Sequence, residues 1–166
     1  MSKFTYEFQK YLCDPSTIND CIDKYGIAIV PVLDDKECNK MIEYKWELLE
    51  FLTSDFEIPI DKLNKETYNQ IINLYPSHRM LLKHWKVGHS KLAWYVRQNP
   101  KVINIFKNIW KEDDLITSFD ACSIYILDKP VRENISWFHV DQSYTRNNRE
   151  CIQGWINAYD TDVGDS

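Results

Sequence analysis

Apolar positions in the first two-thirds of the chain recur mostly at helical spacing. Phe4, Phe8, Tyr11 and Leu12 fall on one helical face, and Asp14-Pro15-Ser16 breaks that pattern. Tyr25 to Leu33 is a short, apolar, β-branched run and predicts a buried strand. Asp34 stands three residues before Glu37, the spacing of a capping box, and predicts a helix through Met41, Ile42, Trp46, Leu49 and Phe51 or Leu52. Ser54 to Lys65 reads as irregular. A further helical stretch is expected from Glu66 to Leu74, interrupted by Pro76-Ser77-His78. Asn99-Pro100 is an N-cap followed by a first-turn proline. It opens a helix to about Trp110, with Val102, Ile103, Phe106 and Ile109 along one side.

The pattern changes after Leu115. Ile116 to Leu127 and Cys151 to Tyr159 read as strands. The expected organisation is a single domain over 1–166. In it, 1–112 is mostly helical with one early strand, and 113–166 is β. A chain of 166 residues is long enough for a sizeable core.

Composition narrows the function classes. A 44% hydrophobic and 14% aromatic chain is globular in type and not disordered. The formal net charge is −5 and Lys and Arg are scattered, so the footprint expected of a nucleic-acid binder is missing and none is expected as a partner. Cys13, Cys21, Cys38, Cys122 and Cys151 are far apart with no C-x-x-C pair, which argues against a zinc ribbon and for reduced thiols. The polar N-terminus lacks a signal-peptide core, and no apolar run reaches membrane-spanning length. An intracellular, cytoplasmic location away from membranes is the expectation. Plentiful Ile, Asn, Lys and Tyr with scarce Gly and Ala suggest an AT-rich genome, such as a protist's or a large DNA virus's, with the host cytoplasm as the compartment in the viral case.

Candidate chemistry sits between the two late strands. Trp137-Phe138-His139-Val140-Asp141-Gln142 carries an H-x-D pair. On extended backbone residues i and i+2 share a face, so one imidazole and one carboxylate aim at a single point. That is two-thirds of the 2-His-1-carboxylate set that holds non-haem Fe(II). Taken alone, the pair more readily describes a loop histidine hydrogen-bonded to a nearby carboxylate.

The surrounding residues add specificity. Phe138 to Asn147 and Gln153 to Asp160 resemble segments of the phytanoyl-CoA dioxygenase-like family of Fe(II)/2-oxoglutarate oxygenases, in a divergent branch of protists and giant viruses. Tyr25 to Leu33, His84 to His89, Val96 to Pro100, Asp114 to Ile116 and Ser118 to Asp120 also resemble that branch. The resemblance implies an α+β fold: a double-stranded β-helix of the jelly-roll, cupin-like type, incomplete at the C-terminus, with N-terminal helices packed outside. It implies Fe(II) on His139 and Asp141 and 2-oxoglutarate as co-substrate, consumed in hydroxylating a small-molecule substrate that the sequence does not name.

Tyr125 and Trp155 correspond to co-substrate pocket positions in that family, with plain core packing as the alternative. Gln142 and Tyr144 either meet substrate or co-substrate, or satisfy loop hydrogen bonds. Arg146 and Arg149 either bind a carboxylate or are solvated. His78, His84 and His89 precede the expected barrel and read as surface or cleft histidines.

The sequence also departs from the family. No histidine follows Asp141, and the later Gly-Ser-His element and the 2-oxoglutarate-binding arginine have no counterpart. The expectation is therefore an N-terminal portion of an oxygenase, inactive alone. Its open sheet edge would invite a second copy or a complementing chain. Two other readings remain open: a degenerate oxygenase domain kept as a binding or assembly module, and a cupin-like or other metal protein in which H-x-D is incidental.

Overall fold

The computed structural model describes residues 7–75, 81–119, 121–126 and 139–160. Four α-helices organise it: α1 (Ile18–Tyr25), α2 (Asp35–Leu52), α3 (Lys91–Arg97) and α4 (Pro100–Trp110). Shorter 3-10 segments cover Phe8–Tyr11, Pro15–Thr17, Lys65–Leu74 and Val87–His89.

Local chemistry explains the helix ends. Asp34 Oδ1 accepts from the Glu37 N–H at 2.9 Å, and Glu37 Oε2 accepts from the Asp34 N–H at 2.9 Å, closing the capping box of α2. Asn99 caps α4 by accepting from the Lys101 N–H at 2.9 Å. Its amide also donates to Glu37 Oε1 at 2.9 Å, and Lys101 Nζ donates to Glu37 Oε2 at 2.5 Å. One carboxylate thus ties together the starts of α2 and α4. Lys101, the Asp34 N–H and Asn99 together hold that carboxyl down to about 2. At the other end of α1, Gly26 adopts φ 72° and returns its N–H to the Ile22 carbonyl at 2.8 Å, the left-handed cap that glycine takes without strain. Ser90 caps α3 by accepting from the Ala93 N–H at 3.2 Å.

The core gathers around α2. Met41, Leu48 and Leu49 pack with Ile60, Ile71, Leu74, Leu82, Val87, Leu92 and Ile124. Thr53, fully buried, donates to the Leu49 carbonyl and accepts from the Ile60 N–H, so its hydroxyl is satisfied inside the apolar cluster.

The expected double-stranded β-helix is overturned. No strand or sheet forms among the described residues. There are three isolated bridges: Leu12–Ile29, Asp61–Asn64 and Leu82–Cys122. The physical reason differs by segment. In Tyr25–Leu33, Tyr25 and Gly26 are used to finish α1. Asp34 then opens α2, leaving a short connector whose Ile27 and Ile29 are exposed and whose pairing is one parallel bridge to Leu12. In the two late runs, apolar side chains dock on helices instead of building a sheet. Cys122, Ile124, Ile126, Ile156 and Ala158 all pack on the α2-centred cluster. A β-like composition reports fit to a half-buried surface, and here helices provide that surface. The metal-binding character expected with that fold is not shown either: among the described residues no group of three or more His, Cys, Asp or Glu side chains could hold a metal.

Other expectations fare unevenly. The helices beginning after Asp34 and at Pro100 stand where predicted, and the stretch expected to be irregular from Ser54 to Lys65 is so up to Asn64, with Lys65 already opening the next 3-10 segment. The Glu66–Leu74 stretch is helical but of the tighter 3-10 kind. Near the N-terminus helical structure covers Phe8–Tyr11, while Phe4 lies outside the described residues, as do Pro76 to His78 and Asp128 to Phe138. No described helix is long and apolar enough to cross a membrane.

Candidate functional site

The segment 139–153 is a loop held from three sides. From within, Gln142 organises it. Its amide nitrogen donates to the Asn148 carbonyl at 2.6 Å and the Arg146 carbonyl at 3.2 Å. Its Oε1 accepts from the N–H groups of Glu150 at 2.8 Å and Cys151 at 3.1 Å. One side chain therefore closes the loop into a ring. From α1, Arg149 is gripped by the Asp23 carboxylate and by Asn19 Oδ1 at 2.9 Å. Beyond the loop, Lys45 of α2 donates to Tyr159 Oη at 2.8 Å and lies 4.1 Å from the Trp46 ring centroid and 4.9 Å from the Tyr159 ring centroid. Gly154 lies against α4, where an added Cβ would come within 3.3 Å of Phe106 Cζ.

His139 and Asp141 stand at the mouth of this loop. His139 Nε2 lies 3.1 Å from Asp141 Oδ1, and both side chains are partly open to solvent. The distance is that of a hydrogen bond. It is also the spacing of two neighbouring ligands: donors about 2.1 Å from one cation at right angles stand about 3.0 Å apart. An imidazole nitrogen and a carboxylate oxygen suit a borderline divalent ion such as Fe(II). A third protein donor is not found among the described residues. The described residues thus offer two donors at this point.

An open cavity of about 460 Å³ lies beside the pair, lined by His139, Asp141, Gln142, Tyr144, Arg146 and Gln153 among others. Of the residues expected at a co-substrate pocket, Gln142 is there, although its described hydrogen bonds all go to the loop backbone. Tyr125 and Trp155 do not line this cavity; they are 51% and 73% exposed. Arg146 pairs with Glu150, so both loop arginines meet carboxylates of this chain. His84 is exposed, and His89 stacks on Phe119 with ring centroids 4.6 Å apart.

Sequence reasoning overlooked the anchors. Arg149 to Asp23 and Lys45 to Tyr159 each join residues more than a hundred positions apart, which no local pattern announces. Gln142, for which satisfying loop hydrogen bonds is one of the two roles read from the sequence, makes four of them to the loop backbone.

No protein-family model matches the chain, and no solved structure matches it. Over 106 residues the chain is 30% identical to Ava biosynthesis cluster protein O of Aspergillus versicolor, a stretch that covers 62% of this chain and 33% of that protein. The chain thus spans about a third of the length of the curated relative it matches, and none of these comparisons names the phytanoyl-CoA dioxygenase-like family.

Proposed function

We propose that this chain carries the two-donor part of a non-haem Fe(II), 2-oxoglutarate-dependent oxygenase site, and that by itself it binds a divalent cation weakly and does not turn over. The supporting observation is the approach of His139 Nε2 and Asp141 Oδ1 to 3.1 Å at the edge of an open cavity. The resemblance of Phe138–Asn147 and Gln153–Asp160 to the phytanoyl-CoA dioxygenase-like family supplies the reaction class. The fungal relative's name places that protein in a biosynthesis cluster, which accords with an enzymatic ancestry. Bound iron would supply oxygen activation coupled to decarboxylation of the 2-oxo acid. This chain's own residues would hold the metal at two points and keep the loop closed around Gln142.

Calorimetry under anaerobic conditions tests the reading, with Fe(II) and with Co(II) as a redox-stable substitute. Weak binding, lost in both His139→Ala and Asp141→Ala, is the expected result, with no succinate formed from 2-oxoglutarate. Binding that survives both substitutions would remove the pair from the site. Succinate production abolished by His139→Ala would overturn the claim of inactivity.

A second reading is favoured by a separate observation. Ile116, Phe119, Tyr144 and Trp155 are 99%, 63%, 94% and 73% exposed. Large apolar and aromatic side chains in that number suit a binding or assembly module whose partner, a second copy or a complementing chain, covers them.

A further inference from the structure

The N-terminal clasp brings two thiols together. A parallel bridge joins Leu12 to Ile29: the Cys13 N–H donates to the Ile29 carbonyl at 3.0 Å, and the Ile29 N–H donates to the Tyr11 carbonyl at 2.8 Å. Cys21, on the inner face of α1, points into the same place. Its thiol reaches the Ile27 carbonyl at 3.4 Å and the Tyr11 carbonyl at 3.5 Å, on both sides of the bridge. Cys13 follows Tyr11 by two residues on the bridged segment, so its side chain lies on the same face as the carbonyl-bound Cys21 thiol. Cys21 is buried at 8% exposure, and Cys13 is half-buried and reachable from solvent. Sequence spacing hides this pairing, since seven residues separate the two and a 3-10 turn at Pro15–Thr17 folds the chain back.

We propose that Cys13 and Cys21 form a dithiol modification site, which a low-molecular-weight disulfide converts to an intramolecular cystine. The Cys13 thiolate attacks one sulfur of oxidised glutathione, its S–S bond breaks, and one glutathione thiol leaves. The Cys21 thiolate then attacks the Cys13 sulfur of the mixed disulfide and expels the second glutathione thiol. Two protein thiols are oxidised to one cystine, one disulfide is reduced to two thiols, and the two protons pass to the departing thiolates. The order follows from access: the reachable thiol attacks first and the buried one resolves. Burial and the neighbouring Cys21 thiol push Cys13 up to about 11. The thiolate is therefore scarce at neutral pH, and the exchange rate should climb about tenfold per pH unit towards that value. The resulting cystine would staple α1 to the bridge that closes the clasp.

Both cysteines lie on one tryptic peptide, Tyr11 to Lys24, which contains no other cysteine. The native chain is incubated with oxidised glutathione at mildly alkaline pH, quenched, alkylated and digested. The expected peptide has lost two hydrogens, carries no alkyl group and holds no glutathione, while exposed Cys151 retains a glutathione adduct. In Cys21→Ser the same peptide should instead keep one glutathione on Cys13. A native-chain peptide that retains glutathione, or that is alkylated at both thiols after Cys151 has reacted, would overturn the proposal. The native-chain measurement decides even if the variant does not fold.

Discussion

Lys45 is a cation 9% exposed, set between aromatic rings and bonded to a neutral phenol. Burial, with the Lys62 charge as a lesser cause, lowers its ammonium to about 8. The consequence for stability has a definite sign. Below about pH 8 both folded and unfolded chains hold the proton, and the desolvation cost is carried in full. Between about 8 and the ordinary lysine value of 10.5 the unfolded chain holds a proton that the folded chain has released, so stability rises with pH there. Urea unfolding of the native chain and of Lys45→Met, compared from about pH 7 to about pH 10, should show a gain of about 2 kcal/mol in the native chain that the variant lacks. Parallel pH profiles would show that Lys45 is not desolvated in the folded state. The same residue scale explains why Gln142 resists a simple reading: an amide that closes a ring of four backbone groups looks in sequence like one that meets a ligand.

Among the elements, α2 and α4 were legible because their signals are local. Asp34 and Glu37 announce a capping box, and Asn99-Pro100 announces a helix start, each by backbone chemistry within one turn. Helices α1 and α3 are short, and their apolar spacing spans barely two turns, so the caps at Gly26 and Ser90 were the signals to weigh. Asp34→Ala should cost about 1 kcal/mol of stability, read as a lowered urea midpoint with an unchanged slope. Glu37 adds an acid-side effect. Its carboxyl is held near 2, so its contribution is present above about pH 4.5 and is lost as pH falls towards 2. Acid unfolding of Glu37→Gln should therefore lack a transition component in that window. A variant that acid-unfolds like the native chain would exclude the α2–α4 tie as a contributor.

At the scale of the whole molecule, the helical core around Leu49 and Ile71 is complete enough to bury both fully, while side chains such as Trp155 stand in solvent. If those exposed aromatic residues form an interface, light scattering should show concentration-dependent self-association that Trp155→Glu weakens several-fold. A native chain that stays monomeric at high concentration would exclude a second copy as the cover, leaving a different chain in that role.

Sequence by itself determined what short-range chemistry controls: the capped starts of α2 and α4, the irregular stretch after α2, and the placement of an imidazole and a carboxylate two residues apart. Tertiary structure decided whether the late apolar runs would pair with one another or dock on helices. It also decided which distant partners, Asp23 for Arg149 and Tyr159 for Lys45, would hold the loop that presents His139 and Asp141. The physical reason is that a strand has no stability apart from its neighbours. Its composition records only a need for an apolar surface, and here that surface is helical.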